Sequence, residues 1–498
     1  MMISLLRGPD RRAERLAATL YGYTFLDDLI LLYPVYALLF VDTGLSTAEI
    51  SSLFVIWSVT SLVMEVPSGV WADAVSRRLL LVVAPLLSAV GYALWVIAPS
   101  YWAFAAGFVL WGTSGALQSG AMEALVYTEL ERLDAAGRYA TIMGRARALS
   151  TGAVMVATAL AAPALAVGGY PLLGAASVLA CVLCAAVATT FPEHRGQSPE
   201  ESSPEEASPG SYADILRDGV REMRSSRPVR RAVLLVIAVT ALWGALDEYV
   251  PLLAAGTGVA EYAVPLLVLL VSAGGALGGL LAAAGRRGTD RAIAVILAVG
   301  ALALGAGAIS GVPAGFAVIA VAFCLFQMAT VLVDARLQDR ITGPARATVT
   351  SLAGLGTDVT CIAFFGCYAA ASAVTGHSVI FAVSAVPYLV LALVLTLAAG
   401  GRSRPGGGRR RERRPSGERS MTTHHPVPAH PAPAHPASGH PAPAHPAPAH
   451  PAPAHPAPAH PAPAHPASGH PASAHPTPAH VPPVHPAPGH VPPAGRTP

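Results

Sequence analysis

Twelve long apolar stretches, separated by short breaks, constrain this chain more than any other feature. They lie near residues 16–41, 47–71, 78–98, 101–130, 142–166, 170–191, 232–255, 262–284, 291–310, 314–338, 347–374 and 378–399. A helix needs about 20 mostly apolar residues to cross a bilayer. Only helices and closed barrels satisfy their backbone in lipid, and these stretches are too long and continuous for barrel strands. Charge agrees: 12% of residues are charged, against about 25% in a typical soluble domain. The fold class predicted is an all-α membrane protein with 12 transmembrane helices.

Arginine supplies an independent check, because cytoplasmic loops collect positive charge. The 32 basic residues are all Arg. Arg7, Arg11, Arg12 and Arg15 precede the first span; the next loop has none; Arg77 and Arg78 follow, then a bare loop, then Arg132 and Arg138. The pattern continues through Arg195–Arg231, Arg286 and Arg287, and Arg340 and Arg346, with every intervening loop free of Arg. It predicts cytoplasmic termini in a plasma (inner) membrane. The first apolar stretch is too long for a cleavable signal, so it is expected to stay as an anchor. Cys181 and Cys184 have CxxC spacing but fall mid-span, where small packing residues are the better reading than a metal or redox pair.

The longest loop divides the spans six and six. The domains expected are a six-helix bundle at 1–191, a cytoplasmic loop at 192–229, a second bundle at 230–400 and a tail at 401–498. The bundles also look related. Leu26-Asp27-Asp28 with Pro34 corresponds to Leu246-Asp247-Glu248 with Pro251, and Gln118 with Arg138, Ala140 and Thr141 corresponds to Gln327 with Arg346, Ala347 and Thr348. Such duplications enclose a binding site near the midplane. The run Gly69-x-x-x-Asp73-x-x-x-Arg77-Arg78, with Glu65-Val66-Pro67-Ser68 before it and Ser119–Tyr127 in span four, resembles the major facilitator superfamily over about residues 10–400. Ala74 and Ser76 depart from that signature, Ala283 stands where Asp73 would map in the second half, and the antiporter signature of span five is mostly absent. The resemblance implies two pseudo-symmetric bundles and a bacterial permease working by alternating access. For Asp73 it implies a gating role at the end of span two. Arg77 and Arg78 read equally as gate partners or as topology determinants.

The acids inside the spans carry the chemistry. An Asp at the centre of a membrane helix costs roughly 2.5–3.5 kcal/mol, so Asp27 and Asp28 must line a wet cavity, pair with a base, or be protonated. A carboxyl held out of water favours its neutral form, which suits a proton carrier; a structural pair with a neighbouring span is the alternative. Adjacent helical residues point about 100° apart, so only one of the two is expected to face a cavity. Asp247 and Glu248 have the same two readings. Trp243, one turn before Asp247, suits an organic cation or a packed core. Gln118, Glu123 and Asp358 rank lower, and Glu65 and Asp334 lie nearer the cytoplasmic ends.

No extramembrane segment is large enough for a catalytic domain, and without Lys no phosphate loop of the GxxxxGK[ST] kind exists. The chain is read as no enzyme, with no cofactor, no metal site, no nucleic-acid partner and a monomeric state. In the tail, 402–419 holds eight Arg, an attractor for anionic lipid. His then recurs every five residues from His430 to His490 in a His-Pro-Ala-Pro-Ala unit. That composition predicts disorder, either as an inert linker or as a weak collector of metal. The function expected is proton-coupled efflux of a small organic solute. The rivals are metal or cation efflux using the tail, and a non-transporting membrane anchor or assembly platform.

Overall fold

A computed structural model describes residues 8–194, 221, 226–284, 289–341 and 346–402. The chain divides into a unit of residues 1–409 and one of 410–498; the second lies outside the described residues. So do most of the central loop, Arg286 and Arg287, the side chains of Asp73, Ala283 and Arg346, and the tail with its lipid-attracting and His-repeat segments.

Every regular element among the described residues is helical. In chain order they are α1 (Gly8–Asp27), α2 (Tyr36–Asp42), α3 (Thr47–Ala74), α4 (Arg77–Ile97), α5 (Tyr101–Arg132), α6 (Tyr139–Ala188), α7 (Arg227–Asp247), α8 (Val250–Ala255), α9 (Val264–Ala284), α10 (Asp290–Ile309), α11 (Gly315–Arg340), α12 (Arg346–Ser372), α13 (His377–Val383) and α14 (Val386–Arg402), with short 3-10 turns at Ala136–Arg138 and Glu261–Ala263. Helix starts follow local chemistry. Ser46, Ser76, Ser100, Ser226 and Thr289 each stand one residue before a helix and accept a backbone N–H from its first turn, which offsets the unpaired donors there. Ser46 and Glu49 form a reciprocal capping box.

Nine helices among the described residues are long and apolar enough to cross a membrane. The expectation of twelve separate spans differs from this at three places. The stretch Ala136–Ala188 stands as one among the nine but is two helices meeting at a kink at Gly169, whose φ of 60° and ψ of −162° only glycine adopts readily. Helices α1 and α5 are outside the nine: α1 carries five charges between Asp10 and Arg15, and the uncharged part of α5, residues 101–122, is made less apolar by its Gly, Ser, Thr and Gln.

The first and seventh apolar stretches, expected as single helices, are broken. Helix α1 ends at Asp27, and residues 28–35 run as turns to α2. Pro34 has no N–H to donate to Ile30 and cannot continue the helix. The Leu32 N–H is satisfied by Ser177 Oγ of α6 at 3.1 Å. Helix α7 likewise ends at Asp247, with Glu248 and Tyr249 in a turn and Pro251 opening α8. Polar backbone of this kind is tolerated at membrane depth only where protein or a cavity surrounds it. Both breaks therefore sit beside the acid pairs.

Helices α9 and α11 meet backbone to backbone. A Cβ added at Gly274 would stand 2.2 Å from the Ala320 carbonyl oxygen, and one at Gly278 would stand 2.0 Å from that of Cys324. This is small-xxx-small packing.

Candidate functional site

The two helix breaks face a common cavity of about 820 Å³. Asp27, Asp28, Tyr33, Trp57, Tyr92, Trp111, Gln118, Arg147 and Ser150 line it from the helices before the central loop; Trp243, Asp247, Ser272, Phe323 and Gln327 line it from those after. Three carboxyls thus share the space with one guanidinium. Because α1 stops at Asp27, Asp28 belongs to a turn and not to a helix. Both acids line the cavity, correcting the expectation that only one does.

Each acid is held differently. The Gln118 amide donates to Asp27 Oδ1 at 3.0 Å and lies 3.4 Å from Ser114 Oγ, whose hydroxyl in turn donates to the Ala84 carbonyl at 2.7 Å. Asp28 has Ser150 and Arg147 beside it on the cavity wall. Glu123 joins Asp27, Asp28 and Arg147 in an adjoining pocket of about 280 Å³. Glu248 accepts a hydrogen bond from Tyr36 of α2, and with Asp358 and Glu65 it lines a separate pocket of about 370 Å³. Asp247 and Glu248 also meet in a small pocket with Tyr33 and Tyr36. The Trp243 indole donates to Thr330 at 3.1 Å and packs edge-on to Phe323 while lining the cavity with Asp247.

Trp57 and Trp111 stack, with centroids 5.2 Å apart, and an aromatic group of Tyr36, Phe40, Phe54, Trp95 and Phe108 backs them. Ties between the helices before and after the central loop gather at one end. Besides Tyr36 to Glu248, Ser51 and Tyr249 share a hydrogen bond of 2.7 Å, and Phe54 packs on Tyr249 and Phe365. Tyr249 stacks on Tyr368 at 3.5 Å.

A family model described as the Major Facilitator Superfamily matches residues 20–365. The chain belongs to the Major Facilitator Superfamily. It is a transporter, not an enzyme. Solved structures with a similar fold include the nucleoside transporter NupG (13% identity, TM-score 0.55, covering 78% of this chain and 98% of that one). A D-xylose-proton symporter is similar at 16% identity and TM-score 0.56, over 77% of this chain and 96% of that one. An auto inhibited POT family peptide transporter is similar at 15% identity and TM-score 0.57, over 82% and 99%. No curated protein sequence matches the chain.

In this superfamily member the residues expected to form a gating loop tie the junction of α3 and α4 to α5 and to the segment after α6. Arg77 donates to the carbonyls of Ala72 and Ala124, both at 3.3 Å, and to Thr128 at 3.1 Å. Arg78 reaches the Phe191 carbonyl at 3.5 Å. Ser76 donates to Glu193, which also accepts the Arg77 N–H at 2.7 Å. Gly69 lies against Gly120 of α5, but a Cβ on Gly69 itself would meet nothing within 4 Å. The side chain of Asp73 is outside the described residues. Among the described residues, no three His, Cys, Asp or Glu side chains are placed to hold a metal. The sequence reading missed Arg147, Tyr33, Tyr36, Trp57 and Trp111. An arginine six residues into an apolar stretch is a signal for the first of these, weakened by Arg145 beside it.

Proposed function

We propose that this transporter exports a small organic cation from the cytoplasm across the plasma membrane in exchange for protons, by alternating access. The reading takes α1–α2, α7–α8 and α13–α14 as broken spans and α6 as two, which with α3, α4, α5, α9, α10, α11 and α12 gives twelve crossings in two six-helix bundles. The Arg-rich loops are placed in the cytoplasm, with both termini, and the protein acts as a monomer. The end tied by Tyr36, Ser51 and Tyr249 then faces outward and is closed, so the cavity is reached from inside.

One observation carries the proposal: Asp27, Asp28 and Asp247 line one aromatic-walled cavity against a single Arg147. That surplus favours a positive occupant, and stacked indoles add cation–π attraction worth about 0.5–2 kcal/mol. A cation and protons compete for the same carboxylates. Binding one expels the other, and exchange follows with no further device. Protons entering down their gradient drive the cation out. This ligation needs no cofactor.

Binding of tetraphenylphosphonium to purified protein tests the competition. Affinity should fall several-fold between about pH 8 and about pH 5, the window in which carboxyls held out of water take up a proton, and Asp27→Asn, Asp28→Asn and Asp247→Asn should each flatten that dependence. Affinity independent of pH in the wild type contradicts the reading.

A further inference from the structure

Outside the central cavity, a second polar pocket of about 410 Å³ sits where α1 meets the start of α6. Its walls are Glu14 and Tyr21 of α1, Gly137 and Arg138 of the 3-10 turn before α6, and Thr141 and Arg145 of α6. The floor is apolar, from the buried Ala17 and Ile142, while Glu14, Arg138, Thr141 and Arg145 are exposed. Residues 138, 141, 142 and 145 share one face of the helix.

Three features point to an anion. The guanidiniums of Arg138 and Arg145 have no hydrogen-bond or ion-pair partner among the described residues, although they face one pocket. The positive end of the α6 dipole adds potential at the same spot, although the Tyr139 N–H itself is held by the Ala136 carbonyl. Thr141 and Tyr21 offer hydroxyl donors beside them. Arg11 lies one turn above Glu14 on α1 and extends the basic surface. Glu14 is the one acid of the pocket. It leaves the site net positive and opposes a ligand of higher negative charge.

We propose that this pocket binds the phosphodiester headgroup of an anionic phospholipid from the cytoplasmic leaflet. The inference rests on the orientation proposed above, which puts the start of α6 at the inner membrane surface. Phosphate oxygens take the two arginines and the Thr141 hydroxyl, and acyl chains run down the lipid-facing side of the α1–α6 seam. The consequence reaches the central cavity. Helix α1 ends in Asp27, and α6 carries Arg147 and Ser150, so a headgroup pinning their cytoplasmic ends fixes the spacing of those groups.

Native mass spectrometry of the full chain, released from nanodiscs containing phosphatidylglycerol, tests it. The wild type should retain a tightly held phosphatidylglycerol. Arg138→Gln and Arg145→Gln should each weaken retention about tenfold, equivalent to about 1.4 kcal/mol, and Glu14→Gln should strengthen it. Thermal unfolding with added phosphatidylglycerol should stabilise the wild type and Glu14→Gln but neither arginine variant. Thr141→Ala keeps both arginines, so it reports on the site if an arginine variant fails to fold; it should lose part of the stabilisation. Equal retention in wild type and all variants overturns the site. Equal stabilisation by inorganic phosphate assigns it to a soluble phosphate and overturns the lipid. Cation binding that loses its pH dependence while lipid retention stays intact would overturn the proposed exchange but not this pocket.

Discussion

Gln118 holds Asp27 with an uncharged amide, so that carboxyl can take or lose a proton without breaking an ion pair. Asp28 differs, because Arg147 stands beside it on the cavity wall. Replacing Arg147 by Gln should therefore act in two directions. Cation affinity should rise about fivefold, for removal of one like charge worth about 1 kcal/mol at the water-like dielectric of an open cavity, while turnover falls because the cation leaves less readily. Binding and transport measured on the same preparation check this. The acid pairs were legible in the sequence because a carboxyl in an apolar stretch needs a reason to be there. Arg147 was not, since beside Arg145 it read as the positive edge of a span. The cavity aromatics were also hidden: Trp57 or Trp111 in an apolar run looks the same whether it packs a core or walls a cavity. The orientation of Asp28 was misjudged because a continuous helix was assumed where the chain turns.

Helix ends decide where these groups point. Pro34 and Pro251 were visible beside the acid pairs, yet a proline in an apolar stretch reads as a kink as readily as a break. The structure ends both helices at the acid. The α9–α11 contact was not legible either, because Gly274 and Gly278 stand among seven glycines and alanines between Ala273 and Ala282 that look alike in sequence. Only the close carbonyls of Ala320 and Cys324 separate them from Gly275, whose added Cβ would meet nothing within 4 Å. Gly278→Val should destabilise the protein by about 1–3 kcal/mol through overpacking. Gly275→Ala should leave stability unchanged. Thermal unfolding in nanodiscs of fixed composition distinguishes the two.

For the molecule as a whole, the Gly69–Arg78 run and its companions in spans two and four led to the right family, and the long apolar stretches to a membrane protein, because the latter follow from the bilayer and not from packing detail. Which end is closed was not legible, since it depends on contacts such as Tyr36 to Glu248 and Ser51 to Tyr249 between residues about two hundred positions apart. Those ties stabilise one state relative to another. Removing a hydrogen bond to a charged group costs about 1.5–3 kcal/mol, so Tyr36→Phe should shift the open–closed balance toward outward-facing by tenfold or more. Spin-label distances between α2 and α8 would widen in this variant if the tie holds that end shut. The central claim, exchange of a cation for protons through Asp27, Asp28 and Asp247, is tested most directly in proteoliposomes carrying a pH dye. With tetraphenylphosphonium added outside at equal pH, uptake through the wild type should make the lumen more alkaline as protons leave, and Asp27→Asn should abolish that signal while still inserting and folding. Cation uptake with no change in lumenal pH, or with acidification, would contradict the account.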